Sequence, residues 1–148
     1  MGKIPSLSRR EVSALMNSSY NLMRLATSRK DSGPHVVPVW FIKHRNKLYI
    51  PCPVKSLKAR NIISNPRVSA VIDTYNGGLL AKGILINGTA RILSGSLSRR
   101  INYLIHSKYL GRTKIKEKKW KRFMQEDDAT IEIVPEKILT WNFAKLRF

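Results

Sequence analysis

The chain has 148 residues, and its 28 Lys and Arg against 9 Asp and Glu give a formal net charge of +19. This length suits one domain, predicted over residues 1–148, and a hydrophobic fraction of 43% argues against disorder. The positive charge favours an anionic partner, but nucleic acid, an anionic membrane surface and a phosphorylated cofactor fit it equally well.

Cysteine and histidine usage argues against a disulfide or a zinc site. Cys52 is the single cysteine, and the three histidines are too scattered to join it in a zinc-binding spacing. No apolar run reaches the length of a membrane span, and the first residues lack the apolar section of a secretory signal. We therefore expect a cytoplasmic protein without a bound metal.

The first predicted elements are a short helix and a β-hairpin. Ser8 and Glu11 have the spacing of a capping box, which predicts a helix over about residues 8–18. Two apolar runs, Tyr20 to Thr27 and Val36 to Lys43, flank a Gly-Pro turn and predict the hairpin. The second run is apolar on both faces, as in a barrel wall that is covered outside by a helix or a partner subunit.

A basic helix lies between the next strands. Lys47 to Cys52 is predicted as a strand, and Ser56 is a candidate N-cap for a short helix that ends before Pro66. Val68 to Thr74 is predicted as the fourth strand. Leu79 to Leu93 is predicted as one long strand, bent at its glycines.

The C-terminal third is predicted to contain two helices and two strands. Apolar residues recur at helical spacing in residues 98–109 and again around residues 120–124. Strand patterns follow at Thr130 to Val134 and at Ile138 to Phe143. The whole pattern predicts a mainly β domain with peripheral helices.

The segment from Lys55 to Arg60 is the most informative short motif. A hydroxyl and free backbone amides at a helix start can bind phosphate, and neighbouring ammonium groups add positive charge. By itself the motif also fits a solvated surface helix, which is the more common structure for such a lysine-rich segment.

The basic motif belongs to a longer series of sequence stretches that occur in a characteristic order along the chain. RLATSRKDSGPHVVPVWFIKHRNKLYI is followed by KSLKARNIISNPRVSAVID and then by GILINGTARIL. Together they resemble the pyridoxamine 5′-phosphate oxidase-like, FMN-binding split-barrel proteins over about residues 7–143. The resemblance implies a six-stranded Greek-key split barrel and a homodimer with two cofactor sites along the subunit interface.

The same resemblance assigns a phosphate site to the basic motif. Ser56 and Lys58 would contact the FMN phosphate, and Arg60 would assist electrostatically. Leu57 stands where the family often has arginine, so one bidentate phosphate donor is missing.

The resemblance also implies the residues around the flavin ring. These are Val37, Pro38, Val39 and Trp40, then Ile50 and Pro51, then Lys82 and Gly83 of the long strand, and finally Trp141. Lys82 fits an exposed barrel lysine equally well, and Trp141 also fits a packing role in the core or dimer.

The function implied is that of a flavin-dependent oxidoreductase that uses FMN, or a deazaflavin coenzyme, on an unidentified small molecule. No side chain is nominated as catalytic, because the cofactor carries the hydride chemistry. One alternative is a flavin or haem carrier without turnover. Another is a nucleic-acid-binding protein that uses the ten Lys and Arg of residues 99–122, with Tyr109 and Trp120 as stacking residues.

Overall fold

The computed structural model describes residues 3–147. Its seven strands are β1 (Met23–Arg29), β2 (Ser32–Val39), β3 (Ile42–His44), β4 (Lys47–Cys52), β5 (Arg67–Tyr75), β6 (Ala81–Leu93) and β7 (Ala129–Asn142). They form one antiparallel sheet in the order β2-β1-β5-β6-β7-β4-β3. The predicted mainly β fold with peripheral helices is confirmed.

The helices are α1 (Arg9–Asn17), α2 (Leu57–Ser64), α3 (Gly95–Lys114) and α4 (Lys118–Gln125), and a 3₁₀ turn follows β7 at Phe143–Lys145. The predicted capping box is present: Ser8 Oγ accepts from the amide of Glu11, whose carboxylate accepts from the amide of Ser8. Ser56 caps α2 by accepting from the amide of Ala59 at 3.4 Å. None of the helices in residues 3–147 has both the length and the apolar character needed to cross a membrane.

The predicted strand from Val36 to Lys43 is divided in two. β2 pairs with β1 on one side of the break, and β3 pairs with β4 on the other. The sheet has seven strands, whereas the family resemblance implied six. Only Trp40 and Phe41 separate the two, although β2 and β3 are opposite edges of the sheet. Since two residues limit the Val39–Ile42 Cα separation to about 11 Å, the sheet must curve until its edges come close. β2 is an edge strand, as the Pro38 in it predicts.

The core lies inside this curved sheet. Leu15 and Met16 of α1 and Ala59 and Ile62 of α2 are buried against it. The strands contribute fully buried side chains, including Met23, Leu25, Leu48, Ile50, Ile72, Ile84, Ile86, Ile131 and Ile133, and the connection between β2 and β3 contributes Phe41. The packing of α2 against the core fixes the position of its N-terminus.

The long strands β6 and β7 contain a bulge. The two strands predicted on either side of Pro135 form the single strand β7, and β6 is one strand, as predicted. Gly88 lies opposite Pro135 while Asn87 lies opposite Lys137, so Glu136 is an extra residue in the ladder. The bulge lets β7 continue through a proline that was expected to end it.

Candidate functional site

A cavity of about 220 Å³ lies where the end of β2, the end of β4 and the first turn of α2 meet. Its lining contains five predicted site residues, namely Pro38, Val39, Trp40, Pro51 and Lys58, together with Leu22, Phe123 and Asp127. Three of these five side chains come from the β2 edge and the link that follows it. The cavity therefore has an apolar wall and a single ammonium group.

The N-terminus of α2 gives this end of the cavity a positive character. The amides of a first helical turn have no partners within the helix, and the helix dipole is positive there. No acidic residue occupies the first turn of α2. Lys58 lines the cavity, whereas Arg60 is exposed and is not among the lining residues. Lys58 and the helix start together suit an anionic group.

Cys52 lies beside this helix start but is not poised as a nucleophile. Burial raises the pKa of its thiol to about 11, even though Lys58 acts to lower it. The thiol is therefore neutral at physiological pH and packs as a small apolar residue.

Trp40 forms the centre of an aromatic cluster at the cavity wall. Its ring stacks on Tyr109, with the ring centroids 5.0 Å apart, and meets Phe123 and His106 edge-on at 6.0 and 6.1 Å. The Tyr109 hydroxyl donates to the backbone oxygen of Asn21 at 2.8 Å. α3 and α4 thus hold Trp40 in place through direct ring contacts.

Asp127 was missed by sequence reasoning. Its carboxylate lies 2.8 Å from His106 Nε2, and the histidine is buried. Asn102 donates to the backbone oxygen of Asp127 at 3.1 Å and fixes the turn that carries it. Asp127 lines the cavity together with Lys58, so an acidic and a basic side chain face the same space. His106 lies in α3 and Asp127 follows α4, so no local sequence pattern indicates that their side chains are in contact.

Lys108 ties three elements together behind the aromatic cluster. Its Nζ donates to the backbone oxygens of Met16 at 3.0 Å and Phe41 at 2.9 Å, and lies 4.0 Å from the centroid of the Phe41 ring. Burial lowers the pKa of Lys108 to about 8. The Lys108 ammonium group therefore stabilises the two-residue connection between β2 and β3, which contains Trp40 and Phe41.

The stability contribution of Lys108 depends on pH. The folded-state pKa is about 8 against an ordinary value of 10.5, so the unfolded chain binds more protons between these values. The free energy of unfolding should rise with pH across that window, by about 1 kcal/mol after solvent screening is allowed for. Urea unfolding of the natural chain and of Lys108→Met measures this, and the rise should be absent in the variant. Identical pH dependence in both proteins would contradict the assignment.

The remaining predicted residues of the first half lie near the cavity without lining it. Val37 is half-buried on β2, and Ser56 is half-buried at the start of α2. Ile50 is fully buried in the core, so its side chain does not face the cavity.

Lys82, Gly83 and Trp141 are not brought to the cavity of the same chain. Gly83 pairs with Trp141 across β6 and β7, whereas Pro51 pairs with Thr130 at the other end of β7. About 35 Å of extended strand separates Thr130 from Trp141. The Trp141 ring lies over Gly83, where an added Cβ would be 2.4 Å from Cζ2. Within one chain Trp141 therefore has a packing role.

Within residues 3–147, no group of three or more His, Cys, Asp or Glu side chains has an arrangement that could hold a metal ion.

An antiparallel sheet whose edges meet beside a basic helix start defines the class of fold. Residues 9–142 match the sequence profile of the pyridoxamine 5′-phosphate oxidase family. The chain belongs to this family. No curated protein sequence matches it significantly.

Solved structures share the fold at low sequence identity. A conserved hypothetical protein from Mycobacterium tuberculosis is 22% identical, with a TM-score of 0.78 over 100% of this chain and 93% of that chain. An FAD-binding protein from Mesorhizobium loti is 22% identical, with a TM-score of 0.67 over 93% and 95%. An F420 reductase is 20% identical, with a TM-score of 0.67 over 86% and 94%.

Proposed function

We propose that the chain is an oxidoreductase that binds FMN, or a deazaflavin coenzyme, in the cavity beside Lys58 and acts on a small organic substrate. The observation that carries this proposal is the cavity itself, which joins an apolar wall to a cationic helix start. Family membership supports it, as do neighbours described as an FAD-binding protein and an F420 reductase.

The residues present fit such a cofactor. Lys58 and the free amides of the first turn of α2 would bind the phosphate, with the Ser56 hydroxyl close by. The ring would lie against Trp40, Val39 and Pro51. A bound flavin supplies the hydride chemistry, while these side chains orient it and exclude water from one of its faces.

A second copy of the chain would complete the site. At about 220 Å³ the cavity is smaller than the roughly 300–1,000 Å³ of pockets that enclose small ligands. In a homodimer, Lys82, Gly83 and Trp141 of the second copy would supply the other side. Exposed apolar side chains on the sheet support such an interface, since both Val36 on β2 and Ile138 on β7 are more than half exposed.

Substitution at the helix start tests where the phosphate binds. Lys58→Ala should raise the Kd for FMN by about 10-fold or more, because a charge-assisted hydrogen bond contributes about 1.5–3 kcal/mol. Arg60→Ala removes the same charge from an exposed position outside the cavity and should change the Kd by less than about threefold. Flavin fluorescence titration measures both constants. Equal losses in the two variants would contradict the proposed phosphate site.

The cofactor and its turnover can be tested on the purified protein. Mass spectrometry of released small molecules should find FMN or a deazaflavin, and failure to retain or bind either would overturn the proposal. An absorbance band that bleaches on reduction and recovers with an added electron acceptor supports an enzyme. A stable flavin or haem band without turnover would indicate a carrier instead.

A further inference from the structure

The strongest concentration of charge lies outside the cofactor cavity, in residues 112–122, termed here the basic segment. It contains the end of α3, the connection and most of α4, and seven of its eleven side chains are cationic: Arg112, Lys114, Lys116, Lys118, Lys119, Lys121 and Arg122. All seven are exposed, and within residues 3–147 none of them forms an ion pair. The segment is therefore an uncompensated cationic surface.

The position of these cations in α4 is unfavourable for the helix itself. Lys118 and Lys119 occupy its first turn, where the helix dipole favours acidic side chains, and the neighbouring acid is Glu117 at the N-cap, whose side chain makes no capping hydrogen bond. Lys118 also repels Lys121 and Arg122, which follow it by three and four residues on the same face. The helix thus tolerates charges that destabilise it, as is expected where an external ligand interacts with them.

The apolar side of the basic segment is packed in part against the protein, and the neighbouring Phe123 of α4 is still 48% exposed. Ile115 is buried, and Trp120 meets Phe123 edge-on at 6.2 Å, while Phe123 contacts Trp40. The segment is therefore anchored with its cations directed outward. An amphipathic helix that binds a membrane needs its apolar face for the lipid, which makes a membrane surface the less suitable partner.

A second copy of the chain has too few available acids to neutralise this surface. Among the nine acidic residues, four form ion pairs with Lys or Arg within the described chain, Asp127 contacts His106, and Asp128 accepts from the amide of Val54. Only Glu117, Glu126 and Glu136 remain. The partner must therefore be a different, densely charged polyanion.

We infer that the basic segment binds the phosphate backbone of nucleic acid without reading its sequence. Double-stranded DNA carries one negative charge per roughly 1.7 Å, and its neutralisation releases condensed counterions. The inference does not depend on base stacking, since one ring face of Tyr109 is already stacked on Trp40 and Trp120 meets Phe123 edge-on. Stacking of bases on Tyr109 and Trp120 stays a prediction from the sequence.

The test compares two triple variants that have equal net charge. Lys118→Gln with Lys121→Gln and Arg122→Gln removes three of the four cations of α4, whereas Arg9→Gln with Arg10→Gln and Lys43→Gln removes three exposed cations elsewhere. Fluorescence anisotropy of a labelled mixed-sequence duplex of about 20 base pairs gives the affinity at several salt concentrations. Loss of each phosphate contact reduces the slope of log K against log salt by about 0.9.

We expect the natural chain to bind the duplex at low salt. The α4 variant should lose about 10-fold or more in affinity, with a slope reduced by about 2 to 3, and the control variant should change little. Absence of binding by the natural chain, or equal losses in both variants, would overturn the inference. Tighter binding to phosphatidylserine vesicles than to the duplex would also overturn it. Unchanged FMN binding and circular dichroism of both variants would show that fold and cofactor site are intact.

Discussion

Replacing Gly88 with alanine should lower the free energy of unfolding by about 3 kcal/mol. A Cβ at this position would lie 2.3 Å from the backbone oxygen of Val134 and 3.1 Å from the Cα of Pro135. Both atoms belong to the backbone of the paired strand, so no change of rotamer can remove the overlap. β6 and β7 would have to separate at the bulge, which disrupts the longest strand pair of the sheet.

Two other glycines provide matched controls. At Gly33 an added Cβ meets nothing within 4 Å, so Gly33→Ala should change stability by less than about 0.5 kcal/mol. At Gly83 the obstacles are the ring of Trp141 and the Cβ of Asp73, and an intermediate loss is expected. All three substitutions restrict the unfolded chain equally, so differences in urea midpoint report the folded state. If Gly88→Ala is as stable as Gly33→Ala, the backbone at the bulge adjusts to the added Cβ without a loss of stability, and the expectation is contradicted.

The elements that the sequence predicts correctly depend on neighbouring residues. The capping box at Ser8 and the N-cap at Ser56 each need partners only three residues away. Strand alternation is similarly local, and β4, β5 and β6 were found within a few residues of their ends. The predicted strand from Val36 to Lys43 is interrupted at Trp40 because its two halves pair with different strands. Pairing between distant strands cannot be recognised from a short stretch of sequence.

The candidate site was predictable only in part, for the same reason. Lys58 and Trp40 were reached through the resemblance to a family, and the structure places both at one cavity. The contact between His106 and Asp127 joins α3 to the connection between α4 and β7, and neither segment alone indicates it. Trp141 lies far from that cavity along β7, so its proposed place beside the cofactor requires a second copy of the chain.

Trp40 has two roles, because it lines the cavity and also packs against Tyr109 of α3 and Phe123 of α4. Trp40→Ala should lower the free energy of unfolding by about 2–3 kcal/mol, because the half-buried ring loses its stack on Tyr109 and its edge contact with Phe123. α4 has no buried residue of its own, so hydrogen exchange of its amides should quicken more than that of α2. Hydrogen-exchange mass spectrometry measures the two helices in one experiment.

The same substitution separates the structural role of Trp40 from its proposed role at the flavin. Trp40→Ala should also raise the Kd for FMN by about 10-fold, whereas Trp40→Phe keeps an apolar ring and should retain most of the affinity. Lys108→Met serves as the control, since it removes a brace of the same link without touching the cavity wall. If Trp40→Ala and Lys108→Met weaken FMN binding equally, Trp40 acts by holding the backbone and not by contact. A larger loss in Trp40→Ala alone would place the flavin ring against the indole.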